Sequence, residues 1–324
     1  MMTVERVVGV AGLSRIEEDW WALWRADPRA TPFHSPAWLL AWAAVFQPER
    51  CLALLLRDGG RLLALLPLFT LAEAGRTRLL PLGAGPTDWL DGLLHPDAPA
   101  GAPARLLQAV DGVAGWSALE LCQLPADSPF ATAPAPWPEC RQEGEPCPVV
   151  PALPPALSKG FAQNLRTARN RLDRRGGWRV RRITGPELPA AFDRLADLHG
   201  ARWRSRGEAG VLADQAVRAF HHRALPGLEA GGMLRMTQLE QADRPLAIVY
   251  GLAAKGRFHC YITGFDPDAA FLSPGMVVIG EAMRDAAGEG CTTFDFLRGR
   301  EAYKYAWGAV DRPSVTRRFT RGAG

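Results

Sequence analysis

All four tyrosines of the chain, Tyr250, Tyr261, Tyr303 and Tyr305, fall within 56 residues, together with two of its three lysines, Lys255 and Lys304. Elsewhere arginine supplies the positive charge, 35 of 38 basic residues, and tryptophan and phenylalanine supply the rings. Arginine does not release its proton and phenylalanine has none to give, so phenols and amines gathered in one window read either as a place where protons are handled or as an accident of composition. His259, Asp266, Asp295 and Glu301 share that window.

A second kind of chemistry lies in SPGMVVIGEAMRDAAGEG. Ser273 at the N-cap, Pro274 at the first helical position and Gly288 or Gly290 as stop predict a helix. Its N-terminus, Ser273, Pro274, Gly275, Met276 and Val277, offers backbone amides and the positive end of a helix dipole to a phosphate. The loop GAGPTD at 83–88 lacks the third glycine and the long following helix of a dinucleotide fingerprint. Asp88 and Asp91 just after it read either as turn caps or as hydrogen-bond partners of a substrate. Serine-hydrolase elbows, P-loops, HExxH pairs and EF-hand loops are absent. The six cysteines form no CxxC pair and no zinc-spaced set, so neither a metal nor a redox centre is expected.

These residues need elements to position them. Residues 246–297 read as strand (FHCYITGF), loop, helix and buried strand (CTTFDFLRG). Upstream, GGMLRMTQLEQADRPLAIVYGLAAKGRFHCYITGFD predicts three consecutive strands with turns at Ala242-Asp243 and Lys255-Gly256. WRVRRIT reads as a strand and LPAAFDRLADLHGARWRSRG as a helix. In the first half, two amphipathic helices precede a hairpin turning at Asp58-Gly59-Gly60, a strand pair around the glycine-rich loop, a helix near 103–114 and the strand WSALELCQLP. Ten prolines between 125 and 155 predict an irregular domain linker. The two halves share an order of elements, with SALELCQL answering TTFDFLRG, which is a weak internal repeat.

At 324 residues, 48% hydrophobic and 22% charged, the chain has the size of two globular domains and excludes a disordered or coiled-coil protein. The net charge of +4 is uneven: residues 159–182 hold nine basic residues against Asp173, a local +8. Phe161, Leu165, Ala168 and Leu172 form one apolar helical stripe there, leaving the arginines on the other faces as a polyanion surface or as a solvated helix face. The first residues carry no apolar leader segment and the longest apolar run, 36–46, is far short of the ~20 residues of a spanning helix, so a cytoplasmic location is expected.

HSPAWLLAW (34–42), LLPLGAGPTDWLDGLL (79–94), NLRTARNRLDRRG (164–176), LHGARWRSRGE (198–208), GFDPDAAFLSPGMVVIGEAMRDA (264–286) and FDFLRGREAYKYAWGA (294–309) carry a resemblance. They are similar to the CelD/BcsL group, GNAT-superfamily acyltransferases linked to cellulose and exopolysaccharide synthesis and related in architecture to the FemABX aminoacyl transferases. The similarity runs over nearly the whole chain, and FDFLRG…YKYAWG is its most specific part. It implies an α/β (α+β) fold of two tandem GNAT-like domains, each a mixed central sheet flanked by helices. Residues 1–150 would shape an acceptor cleft without chemistry of their own, and residues 151–324 would bind the donor and catalyse.

The same resemblance implies acyl-CoA, acetyl-CoA first, as donor and no metal. The pantetheine arm would lie in a splayed strand pair beside Ile262 and Thr263, with the pyrophosphate at the 273–277 turn. One departure stands out: the basic residue of the family's [QR]xxGx[GA] turn falls here on Leu272 or Ala270. Direct acyl transfer needs a base, donors for the oxyanion and an acid for the thiolate. Lys304 resembles a FemABX lysine near the acceptor and is expected to bind substrate or stabilise the oxyanion. Asp295 or Glu301 is expected as base and Tyr303 or Tyr261 as acid. His259 shares Tyr261's side of the strand by period-two alternation, with Cys260 opposite. Asp88, Asp91, Arg202, Glu208 and Tyr305 complete the substrate-binding set.

The acceptor implied is an amine or hydroxyl of a polysaccharide or cell-envelope precursor. The alternatives are transfer from aminoacyl-tRNA bound through 159–182, acylation of a lipid amine, and a catalytically silent scaffold on a partner or an anionic membrane at the inner face. DNA is not expected as a partner.

Overall fold

The computed structural model describes residues 1–321 except 49, 74 and 206. The chain divides into two compact units, Met1–Pro146 with Pro313–Gly324, and Cys147–Arg312. The first contains β1 (Met2–Val8), α1 (Gly9–Arg15), α2 (Glu17–Ala26), α3 (Pro36–Phe46), β2 (Arg50–Asp58), β3 (Arg61–Glu73), β4 (Arg76–Pro81), β5 (Leu93–Leu94), α4 (Ala102–Ala109), β6 (Ala118–Pro125), α5 (Pro129–Thr132) and β7 (Glu139–Glu143). The β2–β3 hairpin forms where expected, because Gly59 and Gly60 take the positive φ of 55° and 87° that its turn requires. Its leucines are buried over Leu52–Leu56 and Leu62–Leu66, and Leu52, Leu54, Leu56 and Leu66 share a core with Leu106 and Leu107 of α4. The Ser35 hydroxyl accepts from Trp38 N to start α3, with Pro36 at the first helical position.

Two expectations change in this unit. β4 and β5 flank the glycine-rich loop but do not pair with each other; β5 pairs with β3, since the loop carries the chain back across the sheet. The proline-rich stretch is also not irregular, as β7 fits between Pro138 and Pro146 and lies exposed at the sheet edge, where missing ladder donors cost little.

The second unit contains β8 (Cys147–Val150), α6 (Lys159–Asp173), β9 (Arg179–Ile183), α7 (Leu188–Arg204), α8 (Gln215–Ala230), β10 (Leu234–Gln241), β11 (Arg244–Ala254), β12 (Arg257–Phe265), α9 (Pro274–Gly288), β13 (Thr293–Asp295), α10 (Ala302–Tyr305) and β14 (Val310–Arg312). Its sheet runs β14-β8-β13-β12-β11-β10-β9. α6 and α9 cover one face, packing Leu165, Leu172, Val277, Val278, Ala282 and Met283 against Phe258 and Phe294. On the other face Phe192 of α7 and His221 of α8 both meet Tyr250 of β11 edge-on and each other at a tilt.

The last strand, β15 (Ser314–Thr320), belongs to the first unit, inserted between β6 and β7 with Val315 and Phe319 in the core. The units therefore divide at 146/147 and again at 312/313, not at one linker. Each sheet holds one parallel pairing among the described residues, β4 with β6 and β12 with β13. β6 and β13 are the two segments that the internal repeat aligned. The fold is the expected mixed α/β architecture in tandem.

Candidate active site

β12 and β13 pair over Arg257–His259 and Thr293–Asp295 only; β13 then ends while β12 runs on to Phe265. Beside the unpartnered length of β12 lies a cavity of about 350 Å3. Thr263 and Phe265 of β12 line it, with Ser273, Pro274, Gly275, Met276 and Ile279 at the start of α9, Ala270, Phe161 of α6, Arg202 of α7, and Tyr303 and Trp307. The wall is mostly apolar. Its polar groups are Arg202, Thr263, Ser273 and Tyr303. Phe161 meets Trp307 edge-on at 4.8 Å, and the Arg202 guanidinium lies 5.0 Å over the Phe265 ring. Seven residues singled out from sequence thus share one cavity: Arg202, Thr263, Ser273, Pro274, Gly275, Met276 and Tyr303.

A bulge decides which side chains reach it. The β11–β12 register shifts between Tyr250/Ile262 and Gly251/Cys260, making Tyr261 the extra residue. Before the bulge, Phe258 and Cys260 face α6 and α9; after it Thr263 and Phe265 do, and Cys260 Sγ lies 3.5 Å from Thr263 Oγ1. Burial pushes the Cys260 thiol up to about 11, so it is inert. Tyr261 faces α8 instead, its hydroxyl 3.5 Å from His221 Nε2 and its ring 5.6 Å from Tyr250. His259 is buried, with Nδ1 3.6 Å from Asp295 Oδ2. Neither lines the cavity, and Ile262 and Val277 are buried packing residues.

Lys304 is 3% exposed. Its Nζ donates to Leu297 O (3.3 Å), Arg298 O (2.6 Å) and Gly299 O (3.1 Å) and pairs with Glu301 Oε2 at 2.9 Å. Three protons thus face four acceptors, so none is left for an oxyanion. In place of the expected substrate contact, Lys304 clamps a loop whose Leu297 and Gly299 have φ of 60° and 105°. Asp295 Oδ1 accepts from Leu297 N at 2.7 Å and serves the same loop. Tyr305 donates to Asp311 Oδ1 at 2.6 Å, outside the cavity, and this bond raises the phenol and lowers the carboxyl. Glu208 is exposed on the loop after α7; its neighbour Arg206 lies outside the described residues.

The start of α9 differs from the expected cap. Ser273 ends the turn Pro267–Leu272 with φ 54°, so its side chain makes no capping bond. Capping needs an extended N-cap backbone, which this residue lacks. Ser273 O accepts from Met276 N (3.1 Å) and Val277 N (3.2 Å), and Pro274 has no N–H. Gly275 N–H is the remaining donor of the first turn. A methyl at Gly275 would sit 3.1 Å from the Phe265 ring.

The basic stretch is largely neutralised. Arg169 pairs with buried Glu281 (2.7 Å), Arg179 with Glu240 (2.6 Å) and Asp243 (2.7 Å), Arg181 with Glu240 (3.0 Å) and Glu187 (2.9 Å), and Arg182 with Glu289. These acids come from other elements, so the local +8 hid them.

In the first unit Asp88 is buried. The Asp91 side chain accepts from Gly92 N (2.8 Å) and Ser128 Oγ (2.8 Å) and lies 3.4 Å from Arg29. Burial lifts its carboxyl to about 6 despite Arg29. These contacts tie Asp91 to Gly92, Ser128 and Arg29 within the first unit, which corrects the expected substrate role. Sequence reasoning missed His221, which burial pushes down to about 3; burial likewise pushes His199, within the family-like patch LHGARWRSRGE, down to about 4. The HisHis pair at 221–222 was the available signal, on a helix whose pattern Pro226 interrupts. Among the described residues no group of three or more His, Cys, Asp or Glu is placed to hold a metal ion. No described helix is long and apolar enough to cross a membrane.

Residues 159–305 match the model of the acetyltransferase (GNAT) domain family. A search of curated proteins finds no match. The crystal structure of FemX is similar over 93% of this chain and 95% of that one, at 10% identity and a TM-score of 0.68. A conserved protein of unknown function from Bacteroides thetaiotaomicron VPI-5482 is similar over 94% and 97%, at 15% identity and 0.65. The C-terminal domain of a putative lysylphosphatidylglycerol synthetase from Agrobacterium fabrum is similar over 95% and 92%, at 12% identity and 0.59. At these identities the likeness is one of fold.

Proposed function

We propose that this chain, an acyltransferase carrying a GNAT domain at 159–305, moves an acyl group from a phosphopantetheine thioester to an amine or hydroxyl of a cell-envelope or polysaccharide precursor. Acyl-CoA is the soluble form of such a donor, and the site of action is the cytoplasm or the inner face of the membrane. The observation that carries the reading is the apolar cavity between the end of β12 and the first turn of α9. A thioester arm buries its apolar length against Phe161, Phe265, Ile279 and Trp307, at roughly 25 cal/mol per Å2 removed from water.

The arm's phosphate meets Gly275 N–H and the positive end of α9, and Arg202 supplies the cation that the turn itself lacks. The acceptor nitrogen or oxygen attacks the thioester carbon, its bond to that carbon forms, and the carbon–sulfur bond breaks. Tyr303, 38% exposed on the cavity wall, gives its proton to the departing thiolate. Glu301, half exposed and paired with Lys304, takes the acceptor's proton. The cell-envelope or polysaccharide acceptor rests on the sequence resemblance. Transfer from tRNA draws on the charge at 159–182, and the ion pairs of Arg169, Arg179, Arg181 and Arg182 remove much of it.

Calorimetric titration with acetyl and hexadecanoyl thioesters, on CoA and on pantetheine 4′-phosphate, tests the reading. Saturable binding is expected, weakened about ten-fold or more by Met276→Trp, which fills the cavity from a half-buried position. If no thioester in either form binds the folded chain, the reading is withdrawn.

A further inference from the structure

We infer that the second unit carries a separate site for a free α-amino acid with an apolar side chain, beside the turn Pro267–Leu272 that precedes α9. The inference goes beyond the transferase reading and does not depend on it.

The site is a cavity of about 660 Å3, within the roughly 300–1,000 Å3 of small-molecule pockets. It shares no lining residue with the thioester cavity, although one turn walls both. Ala270 lines the first, and Ala269, Phe271 and Leu272 line the second. A ligand here has no contact with Tyr303, so it is bound rather than acylated.

The charges around the cavity point to a ligand that carries both signs. Two guanidiniums and two carboxylates line it, those of Arg175, Arg244, Asp266 and Asp268. Arg244 pairs with buried Asp266, whose carboxylate also accepts from Asp268 N at 3.0 Å. Arg175 and Asp268 form no ion pair among the described residues, either with each other or with another group. The Arg175 guanidinium lies 4.5 Å from the centre of the Phe271 ring, a contact that steadies it without engaging its N–H donors. Arg171, also at the turn, donates to Phe271 O at 3.0 Å, and Asp243 pairs with Arg179; neither lines the cavity. A lone anion in the cavity would meet Asp266 and Asp268, and a lone cation would meet Arg175 and Arg244. A zwitterion finds an opposite charge for each of its ends.

The neutral groups narrow the zwitterion further. Gln241 Nε2 donates to Leu172 O (3.1 Å) and Gly177 O (3.3 Å), which fixes the amide and leaves Oε1 to accept. Oε1 and the Asp268 carboxylate both need N–H donors, which a primary ammonium supplies and a quaternary ammonium lacks. At the other end the planar fork of Arg175 matches a carboxylate, whereas a doubly charged phosphate would be pressed against two acids. Leu246, Ala269 and Leu272 are buried and give an apolar floor for a side chain. Ammonium, carboxylate and apolar side chain on a compact frame are the parts of an α-amino acid.

Isothermal titration of the full chain with L-leucine, L-methionine and L-phenylalanine tests the inference. Each is compared with the amine lacking its carboxylate and the acid lacking its ammonium. The tightest of the three is expected to bind saturably below about 1 mM, and about ten-fold or more tighter than either of its truncated forms. Arg175→Gln should weaken it about ten-fold and abolish the preference over the amine. Asp268→Asn should weaken it similarly and abolish the preference over the acid. Both side chains are exposed, so the melting curve should stay in place, and a merely structural effect would not remove opposite preferences. The inference is overturned if none of the three binds, if the truncated forms bind as tightly, or if either variant leaves affinity and preference unchanged. It is equally overturned if acetyl-CoA or adenosine 3′,5′-bisphosphate displaces the amino acid competitively, because the cavity then belongs to the nucleotide end of a donor.

Discussion

Lys304 and Tyr303 are neighbours in the chain, and burial separates them. The Lys304 ammonium is closed in among three carbonyls and a carboxylate, while Tyr303, 38% exposed, lines the cavity. Lys304→Met should strand those carbonyls and lower stability by about 2–4 kcal/mol, read as a fall in Tm alongside lost activity. An oxyanion role would show lost turnover at an unchanged Tm. Tyr303→Phe is expected to leave Tm in place and cut kcat by roughly 100-fold, flattening the alkaline limb of the pH profile. Asp91 gives a pH signature of its own. Its folded carboxyl titrates near 6, above its unfolded value, so the folded state takes up a proton and stability rises as pH falls from about 6 to about 4. The span is on the order of 3 kcal/mol. Asp91→Asn should flatten the denaturation midpoint across that window. Sequence pointed to Tyr303 and Gly275 because proton chemistry and helix starts are written in residue types, and to Thr263 through the family resemblance. It misjudged Lys304 because which carbonyls a loop turns inward depends on the fold of residues 297–299.

Among the elements, β12 has the most to do, since one face must serve the cavity and the other must pack on α7. Gly264 makes that packing possible: a methyl there would sit 2.9 Å from His199 N and 3.0 Å from Leu195 O, both backbone atoms of α7. Gly264→Ala is therefore expected to destabilise by about 2–4 kcal/mol in chemical denaturation, more than Ala substitutions at exposed glycines. The three-strand meander, the β2–β3 hairpin and α9 were legible because turn residues and caps bound their apolar runs. The bulge at Tyr261 was not, since period-two alternation assumes one residue per partner and an extra residue leaves no mark in residue type. α8 escaped because Pro226 and HisHis interrupt a stripe that Val217, Phe220, Ala224 and Leu228 nevertheless complete. β7 (ECRQE) and β15 (SVTRRFT) escaped because polar and charged residues outnumber their few apolar ones, as edge and near-edge strands allow.

For the molecule as a whole, the path of the chain matters more than any contact. Removal of residues from Pro313 onward should open the first sheet between β6 and β7 while leaving the second sheet intact. Hydrogen exchange would read this as lost protection in Ala118–Pro125 and Glu139–Glu143 with retained protection in β10, β11 and β12. Equal loss in both units would contradict the division. The tandem plan was legible from the SALELCQL and TTFDFLRG echo, because each is the strand that makes its sheet's parallel pairing. The return of β15 was not, since strand partners separated by a whole domain leave no local signal. That return orders events during synthesis. When a ribosome has delivered the first 146 residues, the sheet they build still lacks an inner strand, and the missing piece emerges only after all of Cys147–Arg312 has been made. At about 5–20 residues per second the wait is on the order of ten to thirty seconds. The unit encoded second can thus mature first, while the unit encoded first waits with an open strand edge until β15 emerges.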